Sequence, residues 1–229
     1  MALPPEHDAY GRLLLAHLEG EPSEEVMERD DGYVYCGDPS DYFAPRRRWP
    51  STERRALRFA RGRVLDVGCG AGRVALDLQA RGHEIVAIDE SPLAVEVARR
   101  RGVRRAEPLG LADVDERLGR FDTVLVLRNN LGLAGSDEAA RPLLRRLARV
   151  TNDHARLITD SVDPARGGER ADPARRYRVR FREYASPWFR YLMLAPEEFE
   201  RLVDGSGWRV LRTITEEKTP RYGVVLEKT

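Results

Sequence analysis

Val64-Leu65-Asp66-Val67-Gly68-Cys69-Gly70-Ala71-Gly72-Arg73 is an apolar run that stops at a turn with glycine at every second position. Residues at helical spacing resume directly after it, so the stretch predicts a buried strand, a tight turn and a helix. Glycine lets the backbone take positive φ and lets a ligand approach the main chain, and amides opening a helix are expected to face that ligand. A small molecule is therefore expected at Gly68 to Gly72.

Three ligand classes use such turns. A triphosphate loop needs Lys-Ser/Thr after its last glycine, and Arg73-Val74 stands there instead. A dinucleotide fingerprint needs glycine at its first, third and sixth positions, and the sixth position counted from Gly68 is Arg73. What remains is an acid two residues ahead of alternating glycines, Asp66-Val67-Gly68-Cys69-Gly70-Ala71-Gly72. This resembles motif I of the class I S-adenosylmethionine-dependent methyltransferases. The next segment agrees: Gly82 ends the helix, His83 to Ile88 is a second apolar strand, and Asp89 closes it 21 positions beyond Gly68. A carboxylate at the tip of a second strand is placed to accept ribose hydroxyls. Ser91-Pro92 then caps a helix that Gly102 stops, and Val103 to Ala106 is expected as the third strand.

The resemblance runs from Arg63 to Leu226 and implies an α/β fold: a doubly wound, mostly parallel, seven-stranded Rossmann-like sheet. Phe121 to Leu127 and Ala155 to Ile158 supply further strands, and Glu138 to Val150 the helix between them. Trp208 to Ile214 and Tyr222 to Leu226 form an antiparallel C-terminal hairpin, and Pro196 to Gly205 a helix before it. Pro164 to Pro173, rich in Gly, Pro, Asp and Arg, is expected to be a mobile excursion. Residues 1–62 form an N-terminal helical arm or lid, with His7 to Glu19 and Thr52 to Ala60 as its helices; residues 63–229 form the cofactor-binding domain. Such arms in the resembled class fold over the cofactor. The aromatic residues Tyr33, Tyr35, Tyr42, Phe43 and Trp49 fit either that role or plain packing.

Composition narrows the partners. The chain has 229 residues, 41% of them hydrophobic, and no apolar run near the ~20 residues that span a bilayer. Met1 to Glu6 has neither a basic start nor an apolar stretch, so no signal peptide and a cytoplasmic location are expected. Cys36 and Cys69 are its only cysteines, which suggests neither a disulfide framework nor a metal site. Net charge is +1 despite 34% charged residues, which speaks against a nucleic-acid partner. Arginine at 176, 178, 180 and 182 alternates with Tyr177, Val179 and Phe181, predicting a strand with one buried and one basic face. That basic face is either a solvated surface or a wall for an anionic substrate.

The resemblance implies S-adenosylmethionine as cofactor, with S-adenosylhomocysteine as product. Gly68, Cys69, Gly70 and Gly72 would line it, Asp66 would orient the turn or the methionine amine, and Asp89 would take the ribose. Glu90 would border the adenine, Leu111, Ala112 and Asp113 would flank it, and Arg128 would stand near the methionine end. The sulfonium already activates the methyl, so catalysis needs chiefly in-line positioning, with a base only where the acceptor must lose a proton. No catalytic signature is evident: Asn129, Asn130 and His17 are candidates, with Asp160 and Glu183 by position. His83 and His154 fall at the end of the sheet opposite the ligand. Asn129-Asn130 stands where amine- and amide-modifying relatives carry an Asn/Asp-Pro-Pro-aromatic motif, but the prolines and the aromatic are absent. Tyr42, Trp49, Asn130, Trp188 and Arg190 are the expected acceptor contacts. The expected function is methyl transfer to a small molecule. An RNA methyltransferase using Arg46 to Arg48, Arg99 to Arg101 and the alternating arginines is the alternative, followed by a non-catalytic adenosyl-ligand sensor and a dinucleotide oxidoreductase.

Overall fold

The computed structural model describes residues 3–168 and 171–229; Met1, Ala2 and the Glu169-Arg170 pair of the predicted excursion lie outside the described residues. In chain order the elements are α1 (Ala9–Leu18), β1 (Glu25–Arg29), β2 (Val34–Gly37), α2 (Ser51–Ala56), β3 (Val64–Val67), α3 (Arg73–Ala80), β4 (Ile85–Asp89), α4 (Pro92–Arg100) and β5 (Ala106–Pro108). They continue with β6 (Phe121–Val126), α5 (Asp137–Arg149), β7 (Thr151–Val162), β8 (Arg176–Phe181), β9 (Tyr184–Ala185), β10 (Phe189–Arg190), α6 (Pro196–Val203), β11 (Trp208–Ile214) and β12 (Arg221–Lys228).

Seven strands form one sheet in the order β11-β12-β7-β6-β3-β4-β5. The β3/β6, β6/β7 and β4/β5 pairs are parallel, whereas β12 runs antiparallel to both β7 and β11. Strand order reverses between β3 and β6, the place where open α/β sheets bind ligands beyond the carboxyl ends of their strands. β3 and β4 are buried at every position and β6 at all but Asp122, as strands covered on both faces must be. The fold is the expected mixed, doubly wound seven-stranded sheet with an antiparallel C-terminal pair.

The described residues cluster into two compact units, one of residues 3–49, 68–113 and 175–189, the other of 50–67, 114–168, 171–174 and 190–229. The first holds a feature the sequence reading lacked. The N-terminal arm is not purely helical: β1 pairs antiparallel with β2 on one side and with β8 on the other. β8 also carries β9. The expected alternation of β8 is present, with Tyr177, Val179 and Phe181 buried. Its other face is neutralised by the arm: Arg178 forks onto Glu28 with two bonds of 2.9 Å, Arg180 reaches Glu28 at 3.3 Å, and Arg176 meets Asp30 at 3.0 Å. Arg182 pairs with Glu21 at 2.7 Å. The basic face is therefore lined with ion pairs to the N-terminal segment, four arginines sharing Glu21, Glu28 and Asp30.

Two smaller expectations are corrected. Val103 is not in a strand, because it completes the stop of α4: Gly102 takes φ of 106°, its N–H donates to Arg99 O, and the Val103 N–H donates to Ala98 O. The third strand starts at Ala106 instead. The helix expected over Thr52 to Ala60 spans Ser51–Ala56 and tightens into a 3-10 turn at Leu57–Phe59. α3 ends like α4, with Gly82 at φ 92° and the His83 backbone N–H on Leu78 O.

Gly72 shows why glycine ends the turn. Its φ is +74°, and a Cβ there would lie 2.6 Å from Val103 Cγ2 and 3.2 Å from Ala98 Cβ. Its small size serves close packing against the end of α4. Gly72→Ala combines left-handed strain with overpacking and is expected to lower stability by about 2–4 kcal/mol, measured by urea unfolding. A loss below about 0.5 kcal/mol, the range of neutral surface changes, would contradict this packing role.

Candidate cofactor site

The turn between β3 and α3 is built from its own hydrogen bonds. The amides of Gly68 and Cys69 both donate to Ile88 O, at 2.8 and 3.0 Å, and Gly72 N–H donates to Cys69 O at 2.9 Å. Gly70 N–H donates to Asp89 Oδ2 at 2.8 Å. Four successive donors of the turn, omitting Ala71, are thus spent inside the protein. At these four positions the turn is therefore not a cradle of free N–H groups; the helix-opening amides expected to face a ligand are a separate set that begins at Arg73. The Ala71 carbonyl is itself held by the Arg101 guanidinium.

Asp89 ends β4 and organises what surrounds it. Its Oδ2 takes the Gly70 amide and its Oδ1 the Ser91 amide at 3.0 Å, while its own carbonyl receives the Leu109 amide at 2.9 Å. The last bond fixes the segment after β5, where Leu111–Asp113 forms a 3-10 turn and Gly110 lies close to both Asp113 and Glu90. Gly68, Cys69, Gly70, Gly72, Asp89, Glu90, Leu111, Ala112 and Asp113 therefore share one compact unit. Burial pushes the Asp89 carboxyl up to about 6, against the lowering effect of its two amide donors, and neighbouring Glu90 and Asp8 add to the rise.

The arm stands over this turn. In α1, Leu14 joins Ala71, Ala94 and Val97 in one apolar cluster, with Tyr10, Leu15, Leu18, Tyr42 and Phe43 packed on it. A Cβ on Gly70 would lie 2.6 Å from Tyr10 Oη, so this second glycine makes room for the arm. Tyr10 meets Tyr42 edge-on with centroids 5.2 Å apart, and Tyr42 Oη donates to Glu25 Oε1 at 2.8 Å. The sequence reading passed over Tyr10, although an aromatic one turn before an apolar helical stripe was the available signal.

The remaining expected residues divide. His17 stacks on Phe43 at 4.6 Å and pairs its Nδ1 with Ser23 Oγ at 3.1 Å, which gives it a packing role in the arm. Trp49 is buried, donates its indole N–H to Ala44 O at 2.7 Å and lies under the Arg73 guanidinium at 4.8 Å; it anchors the end of the arm and has no face left for an acceptor. Trp188 lies beneath Arg178 on the small sheet at 4.4 Å. In the other unit, Asp66 is buried on β3 in register with Leu125, and Arg190 donates to Ala174 O. Arg128, Asn129 and Asn130 follow β6 there. Arg128 and Asn129 both take left-handed backbone, φ 63° and 59°, which costs strain that such structures retain at functional sites. The buried Asp160 accepts the Asn129 amide at 3.0 Å and pairs with Arg221, while Asn129 Nδ2 reaches Leu192 O at 3.4 Å. His154 is exposed near the start of β7.

Residues 64–154 match the family model described as a methyltransferase domain. The whole chain superposes on a solved S-adenosylmethionine-dependent methyltransferase from Bacteroides fragilis, determined with S-adenosyl-L-homocysteine, at a TM-score of 0.87. The two are 28% identical, over 100% of this chain and 98% of the other. In this domain and in its fold the chain is similar to the class I S-adenosylmethionine-dependent methyltransferases. The CcbJ methyltransferase of Streptomyces caelestis shares the fold at a TM-score of 0.68 and 15% identity, over 99% of this chain and 100% of the other. Among curated relatives, the ubiquinone biosynthesis O-methyltransferase of Methylocella silvestris is 38% identical over 96 residues, covering 36% of each chain. The magnesium-protoporphyrin O-methyltransferase of Rhodobacter capsulatus is 36% identical over 69 residues, covering 28% of this chain and 31% of that one. The chain thus spans about a third of the length of these two curated relatives.

The raised Asp89 carboxyl has a thermodynamic signature in the ligand-free protein. The folded state binds its proton more tightly than the unfolded chain, so stability falls as pH rises from about 4 to about 6 and is level above that range. The full amplitude is about 3 kcal/mol. Asp89→Asn should remove this component, seen as a stability difference between the two proteins that changes with pH only within that window. A difference constant from pH 4 to 7 would contradict the burial of a titrating carboxyl there.

Proposed function

We propose that this chain transfers the methyl group of S-adenosylmethionine to a small-molecule acceptor. The internal commitment of the turn amides carries this reading. A diphosphate needs free N–H groups at such a turn, whereas an adenosyl sulfonium amino acid carries no phosphate and needs none. Each Asp89 oxygen accepts one amide and keeps capacity for another donor, which suits two ribose hydroxyls. Glu90 and Asp113, near Gly110, are proposed to border the adenine. Asp66 and Arg128 are proposed for the methionine end.

S-adenosylmethionine supplies, when bound, a methyl carbon already made electrophilic by the sulfonium. The protein's own share is to bind, align and keep water out. The apolar cluster of Leu14, Ala71, Ala94 and Val97, with Tyr10 and Tyr42 upon it, serves that purpose beside the glycine turn. None of the four histidines is buried: His7 and His154 are exposed, and His17 and His83 are half-buried, with His17 packed on Phe43. This favours an acceptor that presents a ready nucleophile, with Asn129 and Asn130 orienting it.

The small-molecule acceptor is supported by the names of curated relatives, which refer to ubiquinone biosynthesis, magnesium-protoporphyrin and 2-heptyl-1-hydroxyquinolin-4(1H)-one. The arginines that an RNA backbone would need are largely engaged: Arg46 with Asp77, Arg100 with Glu19, Arg99 on Ala106 O, and the β8 series with Glu28 and Asp30. No helix among the described residues is long and apolar enough to cross a membrane.

Titration calorimetry should show binding of S-adenosylhomocysteine and no heat with NAD. Asp89→Ala should weaken that binding by about 1–3 kcal/mol through loss of charge-assisted hydrogen bonds. Labelled methyl from the cofactor should then enter fractionated metabolites. Label confined to RNA would overturn the acceptor class, and binding without any transfer would leave a sensor.

A further inference from the structure

Two helix caps meet in the first unit. Asp8 caps α1, accepting the Gly11 amide on Oδ1 at 2.8 Å, and Ser91 caps α4, its Oγ accepting the Ala94 amide at 2.9 Å. The Ser91 hydroxyl then donates to Asp8 Oδ2 at 2.8 Å. Both side chains are almost wholly buried, at 1% and 2% exposure. Gly11 is what allows the approach: its φ is helical, yet a Cβ there would lie 2.2 Å from Ser91 Oγ and 2.5 Å from Asp8 Oδ1.

The contacts close into a ring. Asp8 holds the Ser91 hydroxyl, Ser91 gives its amide to Asp89, Asp89 takes the Gly70 amide, and Gly70 lies under Tyr10, two residues beyond Asp8 on the same helix. Each link is short, and three of the four are hydrogen bonds to a carboxylate. Asp89 cannot shift without disturbing Ser91, and Ser91 cannot shift without disturbing the cap of α1.

We propose that Asp8 and Ser91 are positioning residues for the adenosyl-ligand site, a bridge through which occupation of Asp89 and docking of the arm helix reinforce each other. The inference rests on the reading of Asp89 as the ribose ligand. Neither residue touches the ligand: Ser91 orients the carboxylate, and Asp8 fixes Ser91 together with the helix that carries Tyr10. A hydroxyl–carboxylate bond buried from water is among the stronger hydrogen bonds, and it is made only when α1 is docked. Coupling of this kind is reciprocal, so ligand must disfavour the open state of α1 at equilibrium by the factor by which docking raises affinity.

The test uses the full chain with S-adenosylhomocysteine as probe. Asp8→Ala and Ser91→Ala should each weaken its binding by about tenfold, measured by calorimetry well below the melting temperature. The double variant should be no weaker than about the worse single one, because both remove the same bridge. Asp8→Asn keeps an acceptor oxygen for the Gly11 amide and turns the bridge into an Nδ2–H donated to Ser91 Oγ, which has a lone pair free for it, so it should bind within about threefold of the natural protein. In hydrogen exchange, saturating ligand should slow the amides of α1 in the natural protein and not in Asp8→Ala. A purely structural role would lower the melting temperature of Asp8→Ala and leave affinity and ligand-dependent exchange unchanged, which would overturn the proposal. Should Asp8→Ala not fold, Gly11→Ala decides: alanine is the better helix former by about 1 kcal/mol, yet its methyl parts Asp8 from Ser91. Unchanged affinity in folded Gly11→Ala would equally refute the bridge. Absence of binding to the natural protein would instead refute the adenosyl-ligand reading itself.

Discussion

A buried carboxylate at the end of β4 is the constraint around which the site is arranged. Asp89 sits in surroundings that disfavour its charge, and two backbone amides, from Gly70 and Ser91, answer it. Each donor belongs to a different turn, so one side chain sets the glycine loop against the start of α4. Its own backbone carbonyl adds the segment after β5. An isolated buried anion would cost several kcal/mol, and the amides offset that only in one geometry. The glycines follow from the same requirement. Gly70 admits Tyr10 and Gly72 admits Val103, and both hold positive φ.

The other unit shows a second use of a carboxylate on a main-chain amide. Asp160 receives the Asn129 N–H at the carboxyl end of β7 and is balanced by Arg221 from β12. Two successive left-handed residues without glycine are unstable alone, and this bond supplies part of what holds them. In both units the chain after a parallel strand is shaped by an acid on a neighbouring strand or at its own tip. Rigid strands thereby dictate the course of loops.

Much of this was legible in the residues. The apolar runs of β3, β4 and β6, the glycine spacing and the acid at position 89 gave the sheet and the turn, because period and turn chemistry are local properties. β1 and β2 were not legible: each is only four or five residues long without a clear apolar alternation, and β1 becomes a strand between β2 and β8, the latter about 150 positions away in sequence. The internal commitment of the turn amides was not legible for a related reason, since Ile88 O and Asp89 meet them only in three dimensions. Val103 was misassigned because an apolar residue after Arg-Gly serves equally as strand start or helix stop. Asp8 and Ser91 each carried a visible cap signal, but nothing local announces that two caps face one another.

The small sheet carries a consequence for how such a chain is inherited. β1, from the N-terminal segment, lies between β2 and β8, and its Glu28 answers two arginines of β8. Stripped of the leading segment, β8 would show water a bare edge and uncompensated guanidinium groups; stripped of β8, β1 and β2 would be an isolated hairpin, too small to persist. The segments at the two places are thus expected to be gained or lost as a set.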